Sequence, residues 1–242
     1  MFRRKNPIFK DVNDFSRSGI TSASYLGIAS KLFLEIIVMV IGGFFSLNIG
    51  SSYFMMTILG FIGIMIMQTL MFRSVSTNPS FTKYYALIYA FLLGMIYFGI
   101  IVIFEAAYPG IVLSALVALI SVVSATCFLM ATGLIKNSSR LRKMTLLVSF
   151  SFIFIIMINY ILSFFSMGIF SYATSLMPYL TISIVSILIG VLYLIQDIDM
   201  CFRIVDGNYD KVYEWTCSSA LLMTLLWIFL DLLRILAIFR DN

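Results

Sequence analysis

Long apolar stretches alternate with short polar segments along almost the whole chain. Each stretch has 20 to 26 residues, and a helix needs about 20 residues to cross the roughly 30 Å of hydrocarbon in a bilayer. The stretches are apolar on all sides rather than at alternate positions, which excludes the strands of a membrane β-barrel. The pattern therefore predicts an all-α, seven-transmembrane-helix bundle with spans at 26–48, 53–72, 84–104, 110–135, 144–167, 177–196 and 217–239.

Two regions follow from this pattern. Residues 1–25 are a polar, basic N-terminal tail, and residues 26–242 form the transmembrane domain. Within the tail, apolar residues at 9, 12 and 15 allow a short interfacial helix, and an unstructured tail is the alternative. The seven spans leave no room for a soluble domain.

The composition excludes most soluble functions. Apolar residues make up 62% of the chain and charged residues 11%, with a mean hydropathy of +1.06; soluble domains have about 45–50% and 25%. The absence of histidine excludes histidine-dependent bases, metal sites and triads. The three cysteines form no CxxC pair, so they indicate neither a zinc site nor a disulfide framework. We expect no enzymatic activity, no cofactor and no nucleic-acid partner; the bilayer is the first expected partner.

Lysine and arginine predict the orientation. With the N-terminus inside, 14 of the 16 basic residues fall in the tail and the inside loops, and the seven spans place the C-terminus outside. One of these loops is the segment Lys136–Lys143, which also contains an N-glycosylation sequon at Asn137 that we discount on that side of the membrane. We therefore attribute the net charge of +5 to the basic residues that set the orientation of the chain in the membrane.

Small residues recur at a spacing of four in two spans. Ala86, Ala90 and Gly94 form one such row, and Gly42 with Ser46 forms another. Small side chains at this spacing allow helices to approach closely. We interpret the rows as packing within the chain, with a dimer face as the alternative.

Few ionisable residues lie at membrane depth, and such residues mark functional sites because burying them is costly. Asp197 and Asp199 end the sixth span, and Asp231 lies in the seventh three residues before Arg234, close enough to pair with it. Glu35 lies four residues after Lys31, and we expect it to reach the interface beside that lysine. Asp197 and Asp199 lie about 200° apart on a helix, so one is expected to face the core and the other the inside surface.

A buried carboxyl favours its neutral form, and two carboxyls that meet share a proton. Such a group responds to pH without histidine, and carboxylates also suit Ca²⁺. The residues thus allow an ion leak or channel, a transporter, or a membrane regulator that transports nothing.

The order of residues over 193–239 resembles that of a known family. The stretch YLIQDIDMCFRIVDGNYDKVYEWTC and the helix end LDLLRILAIF resemble the Bax inhibitor-1 (transmembrane Bax inhibitor motif) family. NPSFTKYYALIYAFLLG and YPGIVLSALVALISVVSATCFLMATGLIK fit as well, and the chain looks most like the bacterial YccA-like branch. The resemblance implies seven helices with a central last helix and, as in the better understood members, a pH-sensitive Ca²⁺ leak.

The resemblance also implies site residues. In those members two aspartates share a hydrogen bond between the sixth and seventh helices, and an arginine of the second-helix region stabilises the closed form. Asp197 matches the first aspartate, and Arg73 lies where the arginine is expected. Counting back ten residues from Arg234, the second aspartate falls on Thr224. Either Asp231 rebuilds the pair from a position about 10 Å along the helix, or Asp197 bonds Thr224 as a lone acid.

Two functions are therefore expected. The first is a pH-sensitive cation leak, with Ca²⁺ as cargo held only transiently at Asp197 and with Asp231, Thr224 and Asp199 along its pathway. The second, which the YccA-like branch implies, is a membrane regulator that binds another membrane protein such as a protease complex. Both place the chain in a membrane, which we expect to be the bacterial plasma membrane.

Overall fold

The computed structural model describes residues 22–47, 53–134, 137–164 and 176–240. These residues form seven helices, apart from turns and an isolated β-bridge between Ser22 and Asp210. The helices are α1 (Tyr25–Leu47), α2 (Tyr53–Thr77), α3 (Pro79–Ala107), α4 (Ile111–Ala131), α5 (Ser139–Phe164), α6 (Leu176–Asp206) and α7 (Tyr213–Arg240). The seven predicted spans are confirmed as helices, whereas the tail up to residue 21 and the first inter-helix break lie outside the described residues.

Several helices are longer than the apolar runs that predicted them. α6 continues ten residues past the predicted end of its span, and α3 begins five residues before its span, at Pro79. Proline suits the first turn of a helix because its missing N–H is not needed there. Apolar content therefore predicts the part of each helix that lipid can cover, while backbone hydrogen bonding continues the helix into polar sequence.

Six of the helices are long and apolar enough to cross a membrane; among the described residues α2 is not in this group. In the most apolar part of each of the six, 50% of the residues of α7 and 33% of those of α6 are buried, against 11–28% in the others. Large apolar side chains are exposed on every one of the six, as for Phe33, Leu113 and Phe150. Lipid is the solvent that such surfaces require.

The chain divides into two compact units, and the first contains the described residues up to Phe98 together with Met200–Leu222. Within it α1 and α3 touch through small residues. A side chain at Gly94 would collide with the carbonyl of Met39, and one at Gly42 with the carbonyl of Phe91. Ala86 and Ala90 are fully buried. The small-residue rows are therefore packing surfaces within the chain, as predicted.

In the same unit the start of α1 is joined to the connection between α6 and α7. The backbone N–H of Ala23 donates to the Tyr209 carbonyl at 2.8 Å. Further along α1, Ile28 packs with two buried cysteines, Cys201 and Cys217. The connection turns at Asn208, whose φ of 51° lies in the left-handed region that asparagine tolerates.

The second unit contains Gly99–Asp199 and the described residues from Met223 onward. α3 ends where Glu105 turns to accept hydrogen bonds from the backbone N–H groups of Gly110 (2.7 Å) and Val112 (3.0 Å). Gly110 itself has φ of 81°. Glu105 thereby satisfies N–H groups that begin α4 and would otherwise lack partners. At the end of α7, Arg240 donates to the Pro109 carbonyl at 2.7 Å.

Candidate polar sites within the helices

In the second unit α6 and α7 run antiparallel with a defined register. A side chain at Gly190 would meet Ile228, and the rings of Tyr193 and Trp227 lie 6.0 Å apart. Positions that face each other therefore have numbers that add to about 418–420. This register decides which polar residues of the two helices can meet.

Asp197 meets Thr224. The threonine hydroxyl donates to Asp197 Oδ2 at 2.5 Å, with Thr224 buried and Asp197 half-buried. No ion pair to Asp197 occurs among the described residues. Of the two predicted arrangements, the structure has the one in which Asp197 bonds the threonine as a lone acid.

Asp231 belongs to a separate cluster. Its carboxylate is 1% exposed and accepts hydrogen bonds from the Ser186 hydroxyl on α6 and from Arg234 at 2.6 Å. Trp227 donates in turn to the Ser186 oxygen at 3.1 Å. The predicted pairing of Asp231 with Arg234 is thus present, and the arginine side chain is 40% exposed.

The register explains why the two aspartates do not form a pair. Thr224 and Asp231 are seven residues apart, or about 10 Å along α7. Asp231 consequently faces Ser186, eleven residues before Asp197 on α6. Each acid therefore meets a hydroxyl from the other helix rather than another acid.

The remaining predicted residues lie apart from these contacts. Asp199 accepts a hydrogen bond from the Asn137 side chain at 2.9 Å. Asp197 and Asp199 are both half-buried, and they face different neighbours: Asp197 bonds α7, and Asp199 bonds the connection between α4 and α5. The assignment of one acid to the core and the other to the inside surface stays a prediction. Arg73 is exposed in α2, and its carbonyl accepts from Ser76 and Thr77. Its role as a latch stays a prediction.

The prediction for Glu35 is wrong. Glu35 is fully buried, and its Oε1 lies 2.8 Å from the hydroxyls of both Ser218 and Ser219 on α7. Its Oε2 has no hydrogen-bond partner among the described residues. The helical spacing to Lys31 suggested a local partner, but the nearby hydroxyls come from a helix about 180 residues later in the chain.

Lys31 pairs instead with Glu214, which is fully buried at the start of α7. The other oxygen of Glu214 accepts from the backbone N–H of Ser24 at 2.8 Å, where α1 begins. Gly27 leaves the space for this carboxylate, because any side chain there would overlap it. The positive end of the α1 dipole and the lysine thus both stabilise the charge of Glu214.

Comparison with known proteins identifies the family. A family model described as Bax inhibitor 1 like matches residues 6–241. The chain belongs to this family. A search of curated proteins found no match.

The match spans all seven helices of this Bax inhibitor 1-like protein, which confirms the predicted resemblance to the family. Together with the apolar helices it supports an integral membrane protein. The hydroxyl partners were missed from the sequence: Ser186, Ser218 and Ser219 look like ordinary small residues of a span. The sequence gives one indication of their role: each is a polar residue in an otherwise apolar helix that packs against a helix containing an acid.

Among the described residues no three cysteine, aspartate or glutamate side chains come together in a group that could hold a metal ion. The acids within the helices are instead distributed singly, and Asp197, Asp199 and Glu35 each have a hydroxyl or amide partner. Such an arrangement is suited to binding protons and to brief contact with a passing cation.

Proposed function

We propose that this Bax inhibitor 1-like protein is a pH-sensitive Ca²⁺ leak in which Asp197 is the switch. The observation that supports the proposal is the position of Asp197, half-buried on α6 with a hydroxyl as its partner and no ion pair among the described residues. A carboxyl in such a place can exchange a proton for a cation, because no fixed positive charge competes. Ca²⁺, the cargo, prefers oxygen ligands.

Thr224 takes the position that the resemblance assigns to a second aspartate. A threonine can donate to an ionised Asp197 but cannot share a proton with it as an acid would. The switch is therefore a single titrating group. Asp231 is neutralised by Arg234, and we assign it to helix packing. Asp199 and Arg73 enter the proposal as flanking charges.

Calcium efflux from liposomes carrying the purified protein, measured over a pH series, tests this proposal. We expect the flux of the unmodified protein to fall as pH falls, because a protonated Asp197 no longer attracts the cation. Asp197→Asn should abolish this pH dependence. Thr224→Val, which keeps the shape but removes the hydroxyl, should shift the midpoint of the profile.

Asp206→Asn is the matched control, since it removes an exposed acid from the same helix; its profile should follow that of the unmodified protein. Unchanged flux and pH dependence in Asp197→Asn would remove Asp197 from the switch. Absence of flux at every pH, from protein shown to be folded, would reject the leak.

In that event the second function applies: a regulator that binds another membrane protein, such as a protease complex, as the YccA-like branch suggests. The basic tail is the segment such a partner would contact, so deletion of residues 1–18 should abolish co-purification of the partner but leave a leak intact. We propose the bacterial plasma membrane as the site of either function, because the sequence looks most like a bacterial branch.

A further inference from the structure

The contact of Glu35 with α7 is not used by the proposed leak. It lies entirely within the first unit, where Glu35 of α1 faces Ser218 and Ser219. Glu35 is fully buried in a helix that is long and apolar enough to cross a membrane. An ionised carboxylate in such a place needs several hydrogen-bond donors or a nearby cation.

The donors available to Glu35 can be counted. Ser219 has one hydroxyl hydrogen and Glu35 Oε1 as its partner. Ser218 also has one hydrogen, but its oxygen lies 3.0 Å from the Trp215 carbonyl as well as 2.8 Å from Glu35 Oε1. Both of these oxygens accept, so the single Ser218 hydrogen is shared between Glu35 and the Trp215 carbonyl. An ionised Glu35 would thus receive one full hydrogen bond and a share of a second, which favours the neutral acid.

The second oxygen of Glu35 agrees with this assignment. Oε2 is buried with no donor among the described residues. For an ionised group this would leave half of the negative charge without any hydrogen bond. For a neutral acid the same oxygen carries no net charge, so leaving it without a donor costs much less.

Glu35 forms no ion pair among the described residues. Lys31, one turn earlier on the same helix, interacts with Glu35 electrostatically, but its ammonium forms its ion pair with Glu214 of α7. Cys217, next to Ser218 on α7, is also buried and packs with Ile28 and with Cys201 of α6. α3 contacts α1 through Phe91 and Phe98, and its Lys83 is exposed.

We propose that Glu35 is a proton-binding site at the contact of α1 with α7, in which the buried acid is neutral and accepts hydrogen bonds from Ser218 and Ser219. The ligand is a single proton. The site does not depend on the proposed leak or on Asp197, and it lies where the middle of α1 meets α7.

Infrared spectroscopy of the purified protein tests this directly, because the chain contains only three glutamates, Glu35, Glu105 and Glu214. Labelling glutamate with ¹³C at the side-chain carboxyl separates these groups from all aspartates. At neutral pH we expect one labelled band in the region of protonated carboxyls, shifted in D₂O. Glu35→Gln should remove it, and Glu105→Gln, the matched control in the second unit, should remove only carboxylate absorption.

Ser219→Ala keeps the acid and removes one of its hydrogen bonds, so it should shift the labelled band without abolishing it; this variant decides the matter if Glu35→Gln does not fold. Absence of a protonated glutamate band at neutral pH would overturn the proposal, as would its persistence in Glu35→Gln or an unshifted band in Ser219→Ala. None of these outcomes bears on calcium flux, so failure of either proposal leaves the other standing.

Discussion

At the scale of single residues, hydroxyl groups are the recurring partners of buried acids. The Thr224 hydroxyl donates a hydrogen bond to Asp197, and the Ser186 hydroxyl donates one to Asp231. Glu35 accepts from two serine hydroxyls of α7. A hydroxyl costs little to place in an apolar helix, since it can also bond a carbonyl one turn earlier. It nevertheless supplies the hydrogen bond that an acid at membrane depth requires.

Asp231 has both a hydroxyl and a cation as partners. The contribution of the cation to stability can therefore be measured separately. Arg234→Met removes the cation but keeps much of the apolar length. We expect a loss of about 1–2 kcal/mol in stability, below the 3–5 kcal/mol of a fully buried pair because the arginine is 40% exposed. The measurement is unfolding in detergent, followed by circular dichroism.

Asp231→Asn with and without Arg234→Met completes a double-mutant cycle. If the pair is a packing device, the double variant should be more stable than the sum of the two single effects predicts. Strictly additive effects would show that the two charges do not interact.

The sequence predicted this pair because both partners lie within one turn of one helix. The same rule gave the wrong partner for Glu35, because Lys31 is its neighbour in sequence but bonds Glu214 of α7. The partners of Glu35 are two serines of α7. The sequence left Asp197 with two alternatives, because the register between α6 and α7 depends on packing of residues such as Gly190 against Ile228. Spacing along the sequence predicts contacts within one helix. A site formed between two helices can be predicted only when the contacts between those helices are known.

At the scale of elements, apolar length was enough to find all seven helices, and small residues were enough to find where two of them touch. The ends were less predictable, because α6 continues through Asp199 and Arg203 without an apolar signal. A helix in water and a helix in lipid have the same backbone hydrogen bonds, so only the sequence that lipid covers shows in the hydropathy pattern.

The contact of α3 with α1 gives a prediction for one methyl group. In Gly94→Ala the new carbon would overlap the backbone of Met39, which cannot rotate away as a side chain would. We expect a loss of about 1–3 kcal/mol, the usual cost of overpacking, seen as a lower unfolding temperature in detergent.

Gly63→Ala is the control for this prediction. There the added carbon would lie 3.0 Å from Leu92 Cδ1, the end of a flexible side chain. The substitution should change stability little, and alanine even favours the helix. Equal losses in the two variants would mean that close approach of the α1 and α3 backbones is not what Gly94 provides.

At the scale of the molecule, the predicted sides of the membrane are consistent within each unit. The start of α1 contacts the α6–α7 connection, and both are predicted inside. Asn137, from the inside α4–α5 connection, bonds Asp199. The end of α7 contacts Pro109 between α3 and α4, and both are predicted outside.

The absolute orientation remains a prediction, and impermeant thiol labelling in cells measures it. In a variant with its three cysteines replaced by serine, a cysteine at Tyr108 should react from outside. One at Ser139 should react only after the membrane is opened. The reverse result would place the N-terminus outside and would contradict the distribution of basic residues.

The bonds between α1 and α7 have a consequence for biosynthesis. The partners of Lys31, Glu35 and Ser24 lie 183 to 190 residues later in the chain, and a ribosome adds about 5–20 residues per second. The first helix must therefore wait on the order of 10–40 s in the insertion machinery or the lipid before its partners emerge. A glutamic acid that carries its proton from the start would be far easier to hold there than a charged one.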